Sequence, residues 1–174
     1  MEHSVKHGEF VLKSGATSNW FLDTKQTACR ADGIIAVADA LVEVFGPDLD
    51  GVDAIGGLTM GADPMAYGVA AVFATRGSQL RSFSVRKEAK AGGITGRIAG
   101  ALRPGDRVLV TEDTTTRGSS LMEAAEQIAE FGAEPAVMSV IVDRGGTCAA
   151  MAAERGIDYR PLLTAPDLGF GFGT

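Results

Sequence analysis

The sequence predicts an α/β protein with a largely parallel sheet covered by helices on both faces. Three observations carry this. Short continuous apolar runs recur along the chain, as strands buried on both sides require. Each is followed by residues whose apolar positions repeat with helical spacing. Glycines stand at the junctions. Strands alternating with helices in this way build βαβ units. With 174 residues, 45% of them hydrophobic, the chain can bury one substantial core within the usual size of a single domain.

After an extended start, GIIAVADALVEVFG (33–46) sets Ile34 or Ile35, Ala38, Leu41 or Val42, and Phe45 on one helical face and stops at Gly46. VDAIGG (52–57) reads as a buried strand. ADPMAYGVAAVFATRG (62–77) is the helix after it, with Pro64 in the first turn, where a missing N–H leaves no bond unmade. LRSFSVR (80–86) is the next strand. KEAKAGGITGRIAGALRPGD (87–106) then mixes charge with glycine and keeps no period, which predicts a long flexible loop flanking at most a short strand. RVLVTE (107–112) resumes as a strand, SSLMEAAEQIAEFG (119–132) as an amphipathic helix with Leu121, Ala125, Ile128 and Ala129 inward, and PAVMSVIVDR (135–144) as another buried strand. Ser120 and Glu123 fit a capping box and Gly132 a C′ stop. GTCAAMAAERG (146–156) is a weaker helix and IDYRPLL (157–163) a last strand.

The formal charge of -6 gives a surface that on average repels phosphate backbones, which argues against nucleic-acid binding. Any anion site must be local. Cys29 and Cys148 lack the C-x-x-C spacing of zinc or redox sites and read as reduced packing residues. The opening residues, MEHSVKHGEF, have acids and histidines where a signal peptide has an apolar core, and no run approaches the length of a membrane span. A soluble, cytoplasmic protein without membrane partners is expected.

VLVTEDTTTRGSS (108–120) runs from a buried strand into two acids and a hydroxyl-rich turn. Ligands of open parallel sheets bind at the carboxyl edge of the strands, where Glu112 and Asp113 fall. Adjacent carboxylates repel unless hydroxyls or a cation share them, and a ribose diol with a nearby Mg²⁺ supplies both. Thr114, Thr115, Thr116, Gly118 and Ser119 then lead into a helix N-terminus, whose N–H groups and dipole favour a phosphate. A second reading stays open on these residues alone: a solvated strand end followed by a capped helix. The Walker pattern G-x-x-x-x-G-K-[ST] is absent.

This segment resembles the phosphoribosyl pyrophosphate (PRPP) signature of type I phosphoribosyltransferases. The resemblance implies that Glu112 and Asp113 engage the ribose hydroxyls and that Thr114 to Ser120, with Arg117 where the family has a small residue, grip the 5-phosphate. VRKEAKAGGITGRIAG (85–100) is similar to the mobile catalytic loop of orotate phosphoribosyltransferases, R-K-E-x-K-x-H-G followed by I-E-G. Arg86, Lys87 and Lys90 match it, and Gly92 stands in place of its histidine; on the residues alone an exposed basic hairpin is the other reading. Cations closing over a departing pyrophosphate stabilise its growing charge, and Lys90 is expected to be the chief of them. GEFVLKSGATSNWFLD (8–23) resembles the family's G-x-F-x-L-K-S-G segment: Lys13 matches a PRPP-contacting lysine, and Trp20 and Phe21 fall near the aromatics that pack on orotate. Taken alone, those two aromatics read as core. Leu22 replaces an aromatic. Thr116 and Arg144 match residues that contact orotate, and GGLTMGADPMA (56–66) sits where the family has its pyrophosphate-binding turn, without the lysine sometimes present; Gly56, Gly57 and Gly61 would let the backbone approach an anion, and a plain strand-to-helix turn is the competing reading.

The resemblance covers nearly the whole chain in order. It implies a type I phosphoribosyltransferase fold: one domain, 1–174, with a small hood from 1–31 and 160–174 and a flexible loop at 87–100. It implies transfer of phosphoribose from PRPP to orotate, with Mg²⁺ held mainly through PRPP and no dedicated protein metal site, in a homodimer. Leu22, Gly92 and Arg117 keep a different base acceptor open, and a PRPP-sensing regulator is the alternative outside catalysis. Only seven residues precede Gly8, fewer than the family's additional N-terminal helix needs, so an altered hood is expected.

Overall fold

The computed structural model describes residues 2–11, 17–90 and 96–173; of Lys90 it describes the backbone only. The chain opens with a hairpin, β1 (Val5–Val11) and β2 (Thr17–Leu22), paired antiparallel from Val5↔Leu22 to Val11↔Thr17. On β2 strict alternation buries Ser18, Trp20 and Leu22 and turns Thr17, Asn19 and Phe21 outward. The extended start is thus a small sheet of its own. β1 carries almost no buried residue, so it has no apolar alternation to announce it.

Two helices follow: α1 (Lys25–Ala28) and α2 (Ala31–Phe45), the second burying Val37, Ala38, Leu41 and Phe45 on one face and ending at Gly46 with φ 50°. The remaining elements are β3 (Ala54–Leu58), α3 (Asp63–Thr75), β4 (Arg81–Lys90), β5 (Gly96–Gly100), β6 (Arg107–Thr115), α4 (Ser119–Phe131), β7 (Glu134–Asp143), α5 (Cys148–Ala153), β8 (Asp158–Tyr159) and β9 (Leu163–Thr164). They build a sheet of order β5-β4-β3-β6-β7-β8, with β9 also on β7. Every pairing in it is parallel except β4 with β5 at one edge.

Helices cover both faces, as the continuous apolar runs require. One layer packs Leu121, Met122, Ala125 and Ile128 of α4 and Cys148 and Ala152 of α5 on Phe83, Val85, Val108, Val110, Met138 and Val140. The other packs α2 and α3, through Leu41, Phe45, Met65 and Val69, on Ile55, Leu109 and Ile141, and takes in Trp20 and Leu22 of the hairpin. Each fully buried Leu, Ile or Phe in these layers contributes about 1.5–3 kcal/mol. No helix among the described residues is long and apolar enough to cross a membrane.

Five expectations are corrected. Of the loop expected at 87–100, residues 91–95 lie outside the described residues, and 87–90 and 96–100 are strand: β4 runs to Lys90 and β5 returns antiparallel, pairing Val85 with Ile98 and, after a register shift, Lys90 with Gly96. Their polar, half-exposed residues satisfy backbone groups by pairing and bury little, so the apolar pattern misses them. The capping box on Ser120 and Glu123 does not form, because Gly118, at φ 81°, is the N-cap and Glu123 instead bonds the Arg97 guanidinium. Gly132 does end the helix, at φ 94°. The last strand, 157–163, reduces to the two-residue β8 and β9, and the weaker helix to Cys148–Ala153. Gly56 and Gly57 serve strand packing: a Cβ would lie 2.5 Å from the Phe83 carbonyl oxygen and 2.0 Å from that of Thr111, respectively.

Candidate active site

The carboxyl ends of β3, β6 and β7 converge on one edge of the sheet. β6 continues three residues past its expected end, and Glu112 and Thr114 still pair with Val140 and Val142 of β7. This carries both acids into the sheet edge, where each is buried. A buried pair of like charges needs compensation, and the compensating groups come from the residues just after β2. The Thr24 hydroxyl donates to Asp113 Oδ2 at 2.9 Å, and the Lys25 ammonium bonds the same oxygen at 2.5 Å. Asp113 Oδ1 accepts the N–H of Thr114.

Among the described residues no cation bonds Glu112, which feels Lys25 only through its charge. Burial, then the charge of Asp113, pushes its pKa from about 4.5 up to about 8. For Lys25, burial works against the charge, but the bond to Asp113 and the charges of Asp113 and Glu112 outweigh it and raise its pKa above the ordinary lysine value. The β3–α3 turn closes over the acids: a Cβ on Gly61 would lie 1.6 Å from Glu112 Oε1 and 3.0 Å from Asp113 Oδ1. That turn is braced beneath by Asp63, which accepts from the Thr59 hydroxyl at 2.7 Å and the Ser84 hydroxyl at 2.5 Å.

Beyond Asp113 the chain makes a hydroxyl-rich turn. The Thr115 hydroxyl accepts the Gly118 N–H at 2.9 Å, closing the turn, while Thr116, Arg117 and Ser119 are exposed at the start of α4. Ser120 is half-buried. The end of β7 is locked to this turn: the Arg144 N–H donates to the Thr115 carbonyl at 2.8 Å, and the Thr147 hydroxyl to the Thr116 carbonyl at 3.2 Å. Asp143 shapes the β7 end, accepting Gly145 and Gly146 N–H groups at 2.9 Å on one oxygen and the Tyr159 hydroxyl at 2.9 Å on the other. Arg144 stands half-buried with its guanidinium carbon 4.4 Å from the Trp20 ring centroid, and burial lowers its pKa below the ordinary arginine value.

β3 ends at Leu58, opposite Val85. Arg86, Lys87 and Lys90 therefore ride on a β4–β5 extension that passes the carboxyl edge of the sheet. Arg86 is half-buried and Lys87 exposed, and the Arg97 guanidinium clamps the extension by donating to the Arg86 carbonyl at 2.6 Å. Lys13 and Gly92 lie outside the described residues, as does the Lys90 side chain. Trp20 is core, as its residue type alone indicates. Phe21 points to the other face of the hairpin, 38% exposed, its ring 5.5 Å from that of Phe10. Thr24, Lys25, Asp143 and Tyr159 were not legible as site residues, because their partners are 16 to 89 positions away in sequence.

The arrangement offers two buried carboxylates, a run of exposed residues with hydroxyls at the start of α4 after them, and the Arg144 guanidinium at the end of β7. Among the described residues no three His, Cys, Asp or Glu side chains converge as a metal cage. No protein-family model matches the chain. Individual proteins do: the chain is 39% identical to orotate phosphoribosyltransferase of Streptomyces avermitilis over 169 residues, 97% of this chain and 92% of that one. The chain belongs to the orotate phosphoribosyltransferase family. It is an enzyme, a phosphoribosyltransferase with the type I fold. Solved structures agree in shape. Orotate phosphoribosyltransferase of Mycobacterium tuberculosis in complex with Fe(III) dicitrate superposes with a TM-score of 0.85 at 33% identity, covering 97% of this chain and 94% of that one. The same enzyme in complex with PRPP gives 0.80 at 30% identity, covering 97% and 93%.

Proposed function

We propose that the chain transfers the phosphoribosyl group of PRPP to N1 of orotate, yielding orotidine 5′-monophosphate and pyrophosphate in pyrimidine nucleotide synthesis. The observation that carries this reading is the buried Glu112–Asp113 pair, roofed by Gly61 and continuous with the amide-rich turn that opens α4. Two carboxylates in that position accept the two ribose hydroxyls, and the turn from Thr114 to Ser120, including Arg117, holds the 5-phosphate on N–H and hydroxyl donors. Thr116 and Arg144 take the carboxylate and carbonyl of orotate, with the exposed ring of Phe21 as an apolar surface for the base. Arg86, Lys87, Lys90 and Lys13 neutralise the pyrophosphate as its bond to the anomeric carbon lengthens.

The carboxylates are hard oxygen donors and suit a Mg²⁺ that arrives on PRPP, where the ion supplies charge neutralisation of the diphosphate. The protein's own contribution is alignment of base and sugar and exclusion of water from an oxocarbenium-like state. The enzyme works in the cytoplasm as a homodimer in which the cations of the β4–β5 segment serve the neighbouring site, and it binds neither nucleic acid nor membrane. The test is loss of orotate absorbance with PRPP and Mg²⁺, run beside a panel of purine and pyrimidine bases. Orotate is preferred by a wide margin on this reading; a faster reaction with another base overturns the acceptor, and no reaction with any base overturns the catalytic reading.

A further inference from the structure

Trp20 is the chain's single tryptophan and is fully buried. Its ring is stacked on that of Phe170, with centroids 3.9 Å apart and planes 1° from parallel. The Arg144 guanidinium also lies within 4.4 Å of the Trp20 ring. Two groups that close to one ring must take opposite faces, so the three side chains form a layered stack, Phe170 then Trp20 then Arg144. His7 of β1 tilts against the far partner, its ring 5.8 Å from Phe170.

Backbone bonds tie the C-terminal segment to the same point. The Ala165 N–H donates to the Asp143 carbonyl at 2.8 Å and the Gly173 N–H to the Arg144 carbonyl at 2.8 Å, so residues on both sides of Phe170 bracket the end of β7. Phe172 packs on Gly146, where an added Cβ would meet its ring at 3.2 Å. An arginine recognises a carboxylate through a planar fork, which works only when its plane is fixed. Here Trp20 backs the guanidinium, and Phe170 backs Trp20.

We propose that Phe170, acting through Trp20, positions Arg144 for an acidic planar base, which makes the C-terminal segment a determinant of base affinity. Phe170 is a positioning residue with no contact to substrate, and the proposal rests on the reading of Arg144 as the base-contacting cation. Phe170→Leu keeps apolar volume but removes the stacking face, whereas Phe170→Tyr keeps the face.

The full-length wild type and both variants are compared by steady-state kinetics and by the ligand-free emission of Trp20. Phe170→Leu is expected to raise KM for orotate about fivefold to tenfold, the scale of one weakened cation–π support, with kcat and KM for PRPP held within about twofold. Its Trp20 emission shifts to longer wavelength as the ring loosens. Phe170→Tyr restores both readouts. An unchanged orotate KM in the leucine variant, a parallel rise in both KM values, or equal behaviour of the two variants overturns the proposal while leaving the enzyme's activity intact. A wild type inert towards orotate overturns the functional reading, and this proposal with it.

Discussion

Binding of PRPP expels a proton from the acid pair, and Glu112→Gln removes that proton from the balance. In the free enzyme Glu112 titrates near pH 8 because it is buried and faces the charge of Asp113. At pH 7 it therefore holds about 0.9 proton. Ribose hydroxyls, and a cation carried on the substrate, favour the charged carboxylate. Calorimetric titration of PRPP and Mg²⁺ in two buffers of different ionisation enthalpy measures the difference directly: wild type releases about 0.5–0.9 proton more than Glu112→Gln. The same group sets a stability trend. An unfolded glutamate loses its proton near pH 4.5 and the folded Glu112 near 8, so between these values the folded state holds more protons and stability falls as pH rises. The full gap corresponds to roughly 5 kcal/mol as a ceiling. The expected gain for Glu112→Gln, a fraction of that ceiling, is about 5 °C in Tm at pH 9 and almost nothing near pH 4, where the wild-type carboxyl is neutral too. Equal proton release by the two proteins, or identical melting profiles from pH 4 to 9, refutes the reasoning.

Three further outcomes follow from the geometry. Gly61→Ala drives a methyl into Glu112 Oε1, so KM for PRPP rises at least about tenfold with an unchanged circular dichroism spectrum; wild-type kinetics would mean that the turn does not roof the site. Lys25→Met removes a charge that holds the Glu112 pKa down, so the acid limb of the activity–pH profile moves up by about one pH unit; an unmoved limb separates Lys25 from the pair's function. Lys90→Ala lowers kcat about 10²–10³-fold while PRPP affinity changes only a few-fold, and undiminished turnover removes its assigned role.

The parts of the fold that bury apolar surface were legible in the sequence. α2, α4 and the strands β3, β6 and β7 carry continuous or periodic apolar residues, and the helix stop at Gly132 follows from its backbone freedom at φ 94°. β1, β5 and the end of β4 beyond Arg86 were not, because their stability lies in main-chain pairing between exposed or half-exposed residues that no periodicity marks. At the site, the acids and the threonine turn announced themselves by local composition. Lys25 and Thr24 did not: they reach Asp113 across 88 and 89 positions, through a short helix whose own sequence, KQTA, is unremarkable. Glu123 misled for the opposite reason, since its spacing from Ser120 fits a cap while a guanidinium from β5 offers a charged partner.

The claim on which the account depends is that a sugar phosphate sits on the turn following Glu112 and Asp113. A crystal soaked with PRPP and Mg²⁺ tests it most directly. The 5-phosphate is expected on the N–H groups and hydroxyls of residues 114–120, and the ribose hydroxyls on the two carboxylates beneath Gly61. Density for PRPP elsewhere, with that turn bare at saturating concentration, contradicts it.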